Sequence, residues 1–288
     1  MLRAVQTGPV IGLLGQLAVL SAVAGTVGLG DAGWLVGTAC GLVTAAGLVH
    51  GLNRSGTAVL GAANRVTLAR ATLVGAVTAL VADAFVGSAD VAVLVGLAVV
   101  ALVLDAVDGW VARRSRTVSA LGARFDMEVD AFLILVLSVY VTQSVGPWVL
   151  AIGAARYAVW AASWLLPWMR TPVPPRYWRK PVAAIQGAVL AVAAADPLPG
   201  VAITVAIAVA MVLLAESFGR DVLWQWRQQR VLRLEAKLRA SSIARRRGEE
   251  EVPRRSSSAS DDEGGGFPAR CASSESLVES PVAAPSSV

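Results

Sequence analysis

The sequence predicts an all-α fold, a polytopic membrane helical bundle with about eight spans. Of the 288 residues, 56% are hydrophobic, and the mean hydropathy of +0.63 lies far above that of a soluble domain. The apolar residues are gathered in long runs, each close to the length of about 20 residues at which a helix crosses a bilayer of about 30 Å. Lys and Arg collect in alternate segments between these runs. Together these observations indicate helices that cross a membrane repeatedly.

The first two runs, residues 9–30 and 33–51, contain no Lys or Arg, and Asp31 is the only acid of residues 9–51. A signal peptide is the alternative interpretation of the first run. Its start, MLRAVQTGPV, is only weakly basic, no convincing cleavage site follows, and the second run comes at once, so we expect a retained span. Residues 1–54 are therefore predicted to form two spans that the chemistry does not need.

Six further runs predict six more membrane-spanning helices. They cover residues 66–86, 91–111, 125–145, 148–168, 181–197 and 200–218.

The basic residues between the runs lie on one side of the predicted membrane. The opposite short loops, GLGDAG, VGSAD, QSVGPW and ADPLPG, contain no Lys or Arg. By the positive-inside rule both termini are cytoplasmic, and an even number of spans agrees. The formal net charge of +5 therefore reflects topology and attraction to membrane lipids, and it does not point to nucleic acid as a partner. We expect a multi-pass protein of the cell membrane.

Two segments follow the last run. Residues 219–247 alternate apolar and basic residues at helical spacing, which predicts a basic amphipathic cytoplasmic helix that lies on the membrane surface. An ordinary solvated helix is the alternative. Residues 248–288 are rich in Ser, Glu, Pro and Gly and are predicted to be disordered.

Cysteine and histidine usage argues against two kinds of site. Cys40 and Cys271 have no metal-ligand spacing, and His50, the only histidine, lies at the end of a predicted span. A hydrolase that depends on histidine is therefore disfavoured.

Four aspartates lie in and beside very apolar sequence, in the stretch LDAVDGWVARRSRTVSALGARFDMEVDAF. Asp105 and Asp108 are three residues apart and Asp126 and Asp130 are four apart, so each pair shares one helix face. Both pairs are centred on the same point of the chain. If the chain turns near Thr117, an antiparallel hairpin brings all four carboxylates to one depth, roughly 10 Å inside the cytoplasmic surface at about 1.5 Å per residue.

Four carboxylates at one point need protonation or a counter-charge. Oxygen ligands of this kind suit Mg²⁺ or Mn²⁺, and one or two ions would neutralise the cluster. Such a site serves phosphoryl chemistry, because the metals polarise a pyrophosphate and stabilise developing charge. Gly109 leaves room for a ligand near the backbone, and Arg113 could hold a phosphate. Buried salt bridges between these aspartates and nearby arginines are the structural alternative.

The aspartates form part of a longer pattern with fixed spacing. Asp105-x2-Asp108-Gly109-x2-Ala112-Arg113-x8-Gly122-x3-Asp126-x3-Asp130 resembles the signature of the CDP-alcohol phosphotransferase family at all eight defined positions. The resemblance implies a six-helix core over about residues 55–218, which leaves two extra N-terminal spans and the tail outside it. It also implies transfer of a phosphatidyl group from a CDP-alcohol, usually CDP-diacylglycerol, to a hydroxyl of a second alcohol, with release of CMP.

The resemblance implies a role for each matched residue. Asp105, Asp108 and Asp126 would bind two divalent ions, and Asp130 would complete the metal site and act as general base on the incoming hydroxyl. The cytidine diphosphate would be contacted by Gly109, Arg113 and Ser119.

The stretch ANRVTLAR supports the same interpretation. Asn64, Thr67 and Arg70 follow one another at intervals of three residues on one helix face. They resemble the family's Asn-x2-Thr/Ser-x2-Arg stretch, which helps to hold the nucleotide. A helix N-terminus with a snorkelling arginine is the alternative.

The acceptor site has weaker support. Arg156 falls near the middle of its predicted span and needs a partner there, for which a phosphate or an acid in a cavity is the functional interpretation. A shifted span boundary or a structural pairing is the alternative. Arg176, Arg179 and Lys180 could bind a phosphorylated acceptor or lipid headgroups.

Three functions follow from these patterns. The first is an integral membrane transferase of phospholipid synthesis, whose partners are a CDP-alcohol, a polar alcohol, membrane lipids and, as a further candidate, a second copy of the chain. The second is a catalytically silent scaffold or lipid-binding protein that retains the hairpin. The third is a transporter, against which the Gly109, Arg113 and Gly122 framework and the lack of a visible inverted repeat argue.

Overall fold

The computed structural model describes residues 7–55, 62–115, 120–170 and 179–251. All regular structure in these residues is helical, which confirms the predicted all-α fold. The eight α-helices are α1 (Thr7–Val27), α2 (Asp31–Ser55), α3 (Ala62–Val86), α4 (Val91–Ser115), α5 (Ala120–Val145), α6 (Leu150–Leu165), α7 (Arg179–Ala195) and α8 (Gly200–Glu251). Two short 3₁₀ helices, Pro147–Val149 and Pro167–Arg170, flank α6.

Five helices in the described part of the chain are long and apolar enough to cross a membrane, namely α1, α2, α3, α6 and α8. In α4 and α7 the apolar stretch is shorter, Val91–Val107 and Pro181–Ala195. The first turns of α5 contain Asp126, Glu128 and Asp130, so its apolar part begins only after these acids.

The third helix is the centre of the bundle. In its apolar part 50% of the residues are buried, against 17% to 22% in the other four long apolar helices. Ala76, Val77, Ala79 and Leu80 are at most 1% exposed and form part of a core to which every α-helix except α2 contributes buried residues. Neighbouring helices surround α3 on several sides, and its two buried charged residues, Arg70 and Asp83, find their partners on those helices.

The N-terminal helices pack directly on α3. Leu48 and Leu52 of α2 form a buried cluster with Leu68 of α3. Gln16 of α1 is 2% exposed and lies against Gly75 of α3, where a Cβ atom would approach its side-chain amide to 2.5 Å. Small residues let helices approach closely in a membrane.

The start of α2 is capped by an acid of α3. The Asp83 carboxylate accepts hydrogen bonds from the backbone N–H of Gly30 at 2.7 Å and of Gly33 at 2.6 Å. These N–H groups have no acceptor within their own helix, so an acid at this position neutralises the helix terminus. A Cβ atom at residue 33 would lie 2.6 Å from the carboxylate, so only glycine permits this approach.

The C-terminal helix differs from the predicted division into a span that ends at residue 218, an amphipathic helix over 219–247 and a disordered tail from residue 248. A single helix runs from Gly200 to Glu251. Gly219 does not end it, because one glycine in a helix costs only about 1 kcal/mol relative to alanine. Residues 248–251 continue the helix, and residues 252–288 lie outside the described part.

The chain divides into two compact units, which end and begin at Val231 and Leu232. In the first unit, the Gln225 side chain donates a hydrogen bond to the Met169 carbonyl at 2.9 Å, and the Arg230 guanidinium stacks 3.7 Å above the Trp226 ring. In the second unit, the described residues are helical, and their described side chains are exposed.

Candidate functional site

Three of the four predicted aspartates converge in the structure. Asp105 lies near the end of α4, and Asp126 and Asp130 lie in the first turns of α5, one helical turn apart. One carboxylate oxygen of each lies within 4.8 Å of the other two. The side chains are 36%, 33% and 30% exposed, so a ligand can reach them. The convergence of these three carboxylates agrees with the expected one, whereas the predicted turn near Thr117 and the Asp108 side chain lie outside the description.

A buried arginine from α3 lies between these aspartates. The Arg70 side chain is completely buried, and its Nη1 is 2.9 Å from Oδ1 of Asp105. The same nitrogen also pairs with Asp126, and Nη2 pairs with Asp130. The Nε–H donates to the Ala101 carbonyl on α4 at 3.2 Å. All three nitrogens of the guanidinium therefore have partners on α4 or α5.

The donor set fits a small divalent cation. Carboxylate oxygens are the ligands preferred by Mg²⁺, whose octahedral shell at 2.0–2.1 Å places opposite oxygens about 4.2 Å apart. Adjacent oxygens of such a shell lie about 2.9 Å apart, so oxygens separated by up to 4.8 Å would have to draw together by up to about 2 Å to share one ion. Three carboxylates beside one guanidinium leave two negative charges, the charge that one divalent ion balances. The salt bridges considered as an alternative are present, and metal binding remains a prediction.

The predicted nucleotide contacts are only partly described. Thr67 is buried on α3, one turn before Arg70, so these two residues share a face as expected. Asn64, Gly109 and Arg113 lie on described helices, but their surroundings are outside the description. Ser119 lies outside the described residues altogether.

The predicted acceptor residue Arg156 has an acidic partner. Its Nη2 donates to Oε1 of Glu128 at 2.5 Å, which joins α6 to α5. The side chains are 37% and 56% exposed, so the pair is open to other ligands. Arg176 lies outside the described residues, and the side chains of Arg179 and Lys180 are outside the description.

Sequence reasoning missed the partners of Arg70, Glu128 and Asp83. A signal was present in each case, because an ionisable residue within an apolar helix needs a partner in a neighbouring helix. Which helix supplies that partner depends on packing and cannot be read from one helix alone.

No curated protein and no solved structure matches the chain significantly. A family model described as CDP-alcohol phosphatidyltransferase matches residues 60–215, more than half of the chain. The match spans the helices that carry the three aspartates and Arg70. The chain therefore belongs to the CDP-alcohol phosphatidyltransferase family.

Proposed function

We propose that this protein is an integral membrane transferase of phospholipid synthesis that moves a phosphatidyl group from CDP-diacylglycerol to a polar alcohol. The observation that supports it most strongly is the convergence of Asp105, Asp126 and Asp130 within a chain of this family. A site on the cytoplasmic side suits a water-soluble alcohol and a donor whose acyl chains remain in the bilayer.

The reaction requires one bond to form and one to break. The hydroxyl oxygen of the acceptor attacks the phosphorus that carries the diacylglycerol, and the bond from this phosphorus to CMP breaks. Asp130 takes the proton of the hydroxyl as general base. The electron pair of the broken bond leaves with CMP.

The carboxylates have a second task in this proposal. Asp105, Asp108, Asp126 and Asp130 would hold two Mg²⁺ or Mn²⁺ ions. Such ions, when bound, neutralise the pyrophosphate and stabilise charge that develops on it.

The nucleotide and the acceptor would bind on either side of this cluster. Gly109, Arg113 and Ser119 would contact the cytidine diphosphate, together with Asn64 and Thr67. On the acceptor side, Arg156 supports binding of a polar group, because it lies on α6 beside the acids of α5 and is partly exposed. A phosphorylated acceptor would also meet Arg176, Arg179 and Lys180.

One assay tests the activity and identifies the acceptor. The purified protein is incubated with CDP-diacylglycerol, Mn²⁺ or Mg²⁺ and a panel of polyols, sugar phosphates and amino alcohols, and CMP is measured. We expect acceptor-dependent CMP release that EDTA abolishes. A pure, folded protein that releases no CMP with any acceptor would contradict the proposal.

A non-catalytic role is the second candidate, since Arg70 already pairs with the three acids and could make the cluster purely structural. In that case CDP-diacylglycerol could still bind, but no CMP would form.

A further inference from the structure

We propose that Arg70 is a built-in counter-cation that competes with divalent metal for the aspartate cluster. The inference rests on the metal site of the proposed function and assigns Arg70 a positioning role in place of a contact with the nucleotide. In this role Arg70 stabilises the cluster when no metal is bound and lowers its affinity for metal.

The placement of the guanidinium supports competition. Nη1 touches Asp105 on α4 and Asp126 on α5, and Nη2 touches Asp130 one turn further along α5. These are the same three side chains whose oxygens lie close enough to share one cation. A divalent ion bound to them would lie within a few ångströms of a positive charge, where partial burial weakens the screening of the repulsion by water.

The burial of Arg70 keeps its guanidinium beside the carboxylates when a metal ion approaches. Arg70 is 0% exposed, whereas the three carboxylates are each about one-third exposed. A ligand can therefore reach the carboxylates from the open side while the arginine approaches them from the interior. An arginine cannot be deprotonated in a protein, so its charge is relieved only by these acids or by movement.

The hydrogen bond to the backbone of α4 can hold Arg70 in position when its contacts with the carboxylates change. Its Nε–H bonds to the Ala101 carbonyl, which does not belong to the acid cluster. The Nη groups can thus release one or more carboxylates while Nε keeps its partner on α4. We infer that metal entry changes the Nη contacts and leaves the Nε contact in place.

The test compares metal binding in full-length Arg70→Gln, in Arg65→Gln and in the unsubstituted protein. Arg65 is an exposed arginine on the same helix, so its substitution removes the same charge outside the cluster. Each protein is stripped with EDTA and titrated with Mn²⁺, and the melting temperature and the half-saturating Mn²⁺ concentration are measured.

We expect Arg70→Gln to melt at a lower temperature in EDTA and to be half-saturated at a Mn²⁺ concentration at least tenfold lower. The rise in its melting temperature with Mn²⁺ then exceeds that of the unsubstituted protein. Arg65→Gln should match the unsubstituted protein in both measurements.

An unchanged or higher half-saturating Mn²⁺ concentration in Arg70→Gln would overturn the inference. If that variant does not fold even in Mn²⁺, Arg70→Lys provides the same measurement, because a single ammonium cannot bridge three carboxylates as a guanidinium does. Its half-saturating Mn²⁺ concentration should also fall, and an unchanged value would overturn the inference. If the unsubstituted protein shows no response to Mn²⁺, the proposed metal site itself is wrong. A response that is equal in all variants contradicts only the role of Arg70.

Discussion

Arg70 and the three carboxylates around it differ in their exposure to solvent. Arg70 is closed off in the interior, while the carboxylates of Asp105, Asp126 and Asp130 remain partly exposed. A metal ion or substrate can therefore contact the carboxylates, whereas Arg70 cannot be reached from solvent. Substitution by asparagine keeps their shape and removes both their charge and their ability to accept a proton.

Asp130→Asn should reduce the rate of CMP release by about 100-fold or more, the usual contribution of a general base. The melting temperature in EDTA should not fall by much, because the amide still accepts a hydrogen bond from Arg70. Asp90→Asn is the matched control, since Asp90 lies outside the cluster and caps α4 through the Val93 N–H at 3.0 Å. Asparagine caps helices as well as aspartate does. A rate for Asp130→Asn equal to that of Asp90→Asn would exclude a catalytic role.

Arg156 and Glu128 allow the acceptor side to be tested separately. If Arg156 binds an anionic acceptor, Arg156→Gln should raise the KM for the acceptor and leave the KM for the CDP-alcohol unchanged. Glu128→Gln should lower the acceptor KM, because it releases Arg156 from its partner. The pair is partly exposed and should contribute only about 0.2–1 kcal/mol to stability. Equal changes in both KM values would point to a structural role.

Among the helices, α3 makes the decisive contacts. Near its start it supplies Arg70 to α4 and α5, and near its end it supplies Asp83 to α2. The apolar runs predicted the eight α-helices of the described residues, and the matched spacing of the aspartate pairs predicted that Asp105, Asp126 and Asp130 converge. The partners of Arg70 and Asp83 could not be predicted, because periodicity relates residues within a helix and these partners are 31 to 60 residues away.

Asp83→Ala should lower the free energy of unfolding by about 2 kcal/mol, since hydrogen bonds from the backbone of α2 to a charged, buried group are lost. Gly33→Ala should lower the free energy of unfolding by a similar amount, because the added methyl group would collide with the Asp83 carboxylate. Gly25→Ala is the matched control, as a Cβ there meets nothing within 4 Å. Thermal unfolding in detergent measures all three. If Gly33→Ala is as stable as Gly25→Ala, the cap does not contribute to stability.

At the scale of the whole molecule, the family match begins at residue 60 and excludes α1 and α2. These two N-terminal helices nevertheless pack on α3 and bury Leu68, and the backbone at the start of α2 donates hydrogen bonds to the Asp83 carboxylate. None of the described residues of the aspartate cluster lies in them. The extension is thus separate from the proposed chemistry but not from the packing of the helix that carries Arg70.

We predict that a chain beginning at Gly51 inserts in the same orientation and retains CMP-releasing activity, with a lower melting temperature. An even number of spans is removed, so the topology of the rest is preserved. Adding Asp83→Asn to the shortened chain should recover part of the lost stability, because the carboxylate would otherwise lack its two N–H donors. Complete loss of activity in a shortened protein that is demonstrably folded would show that the extension helps to build the site.

The position of Arg70 on the third helix also determines when it meets its partners during synthesis. Asp130 follows Arg70 by 60 residues. At about 5–20 residues per second, the ribosome needs about 3–12 s to make that length of chain. None of the three carboxylates exists until Asp105 is made, 35 residues after Arg70, while α1 and α2 have already been made. The N-terminal helices are therefore available to pack on α3 before α4 and α5 supply the carboxylates that pair with Arg70.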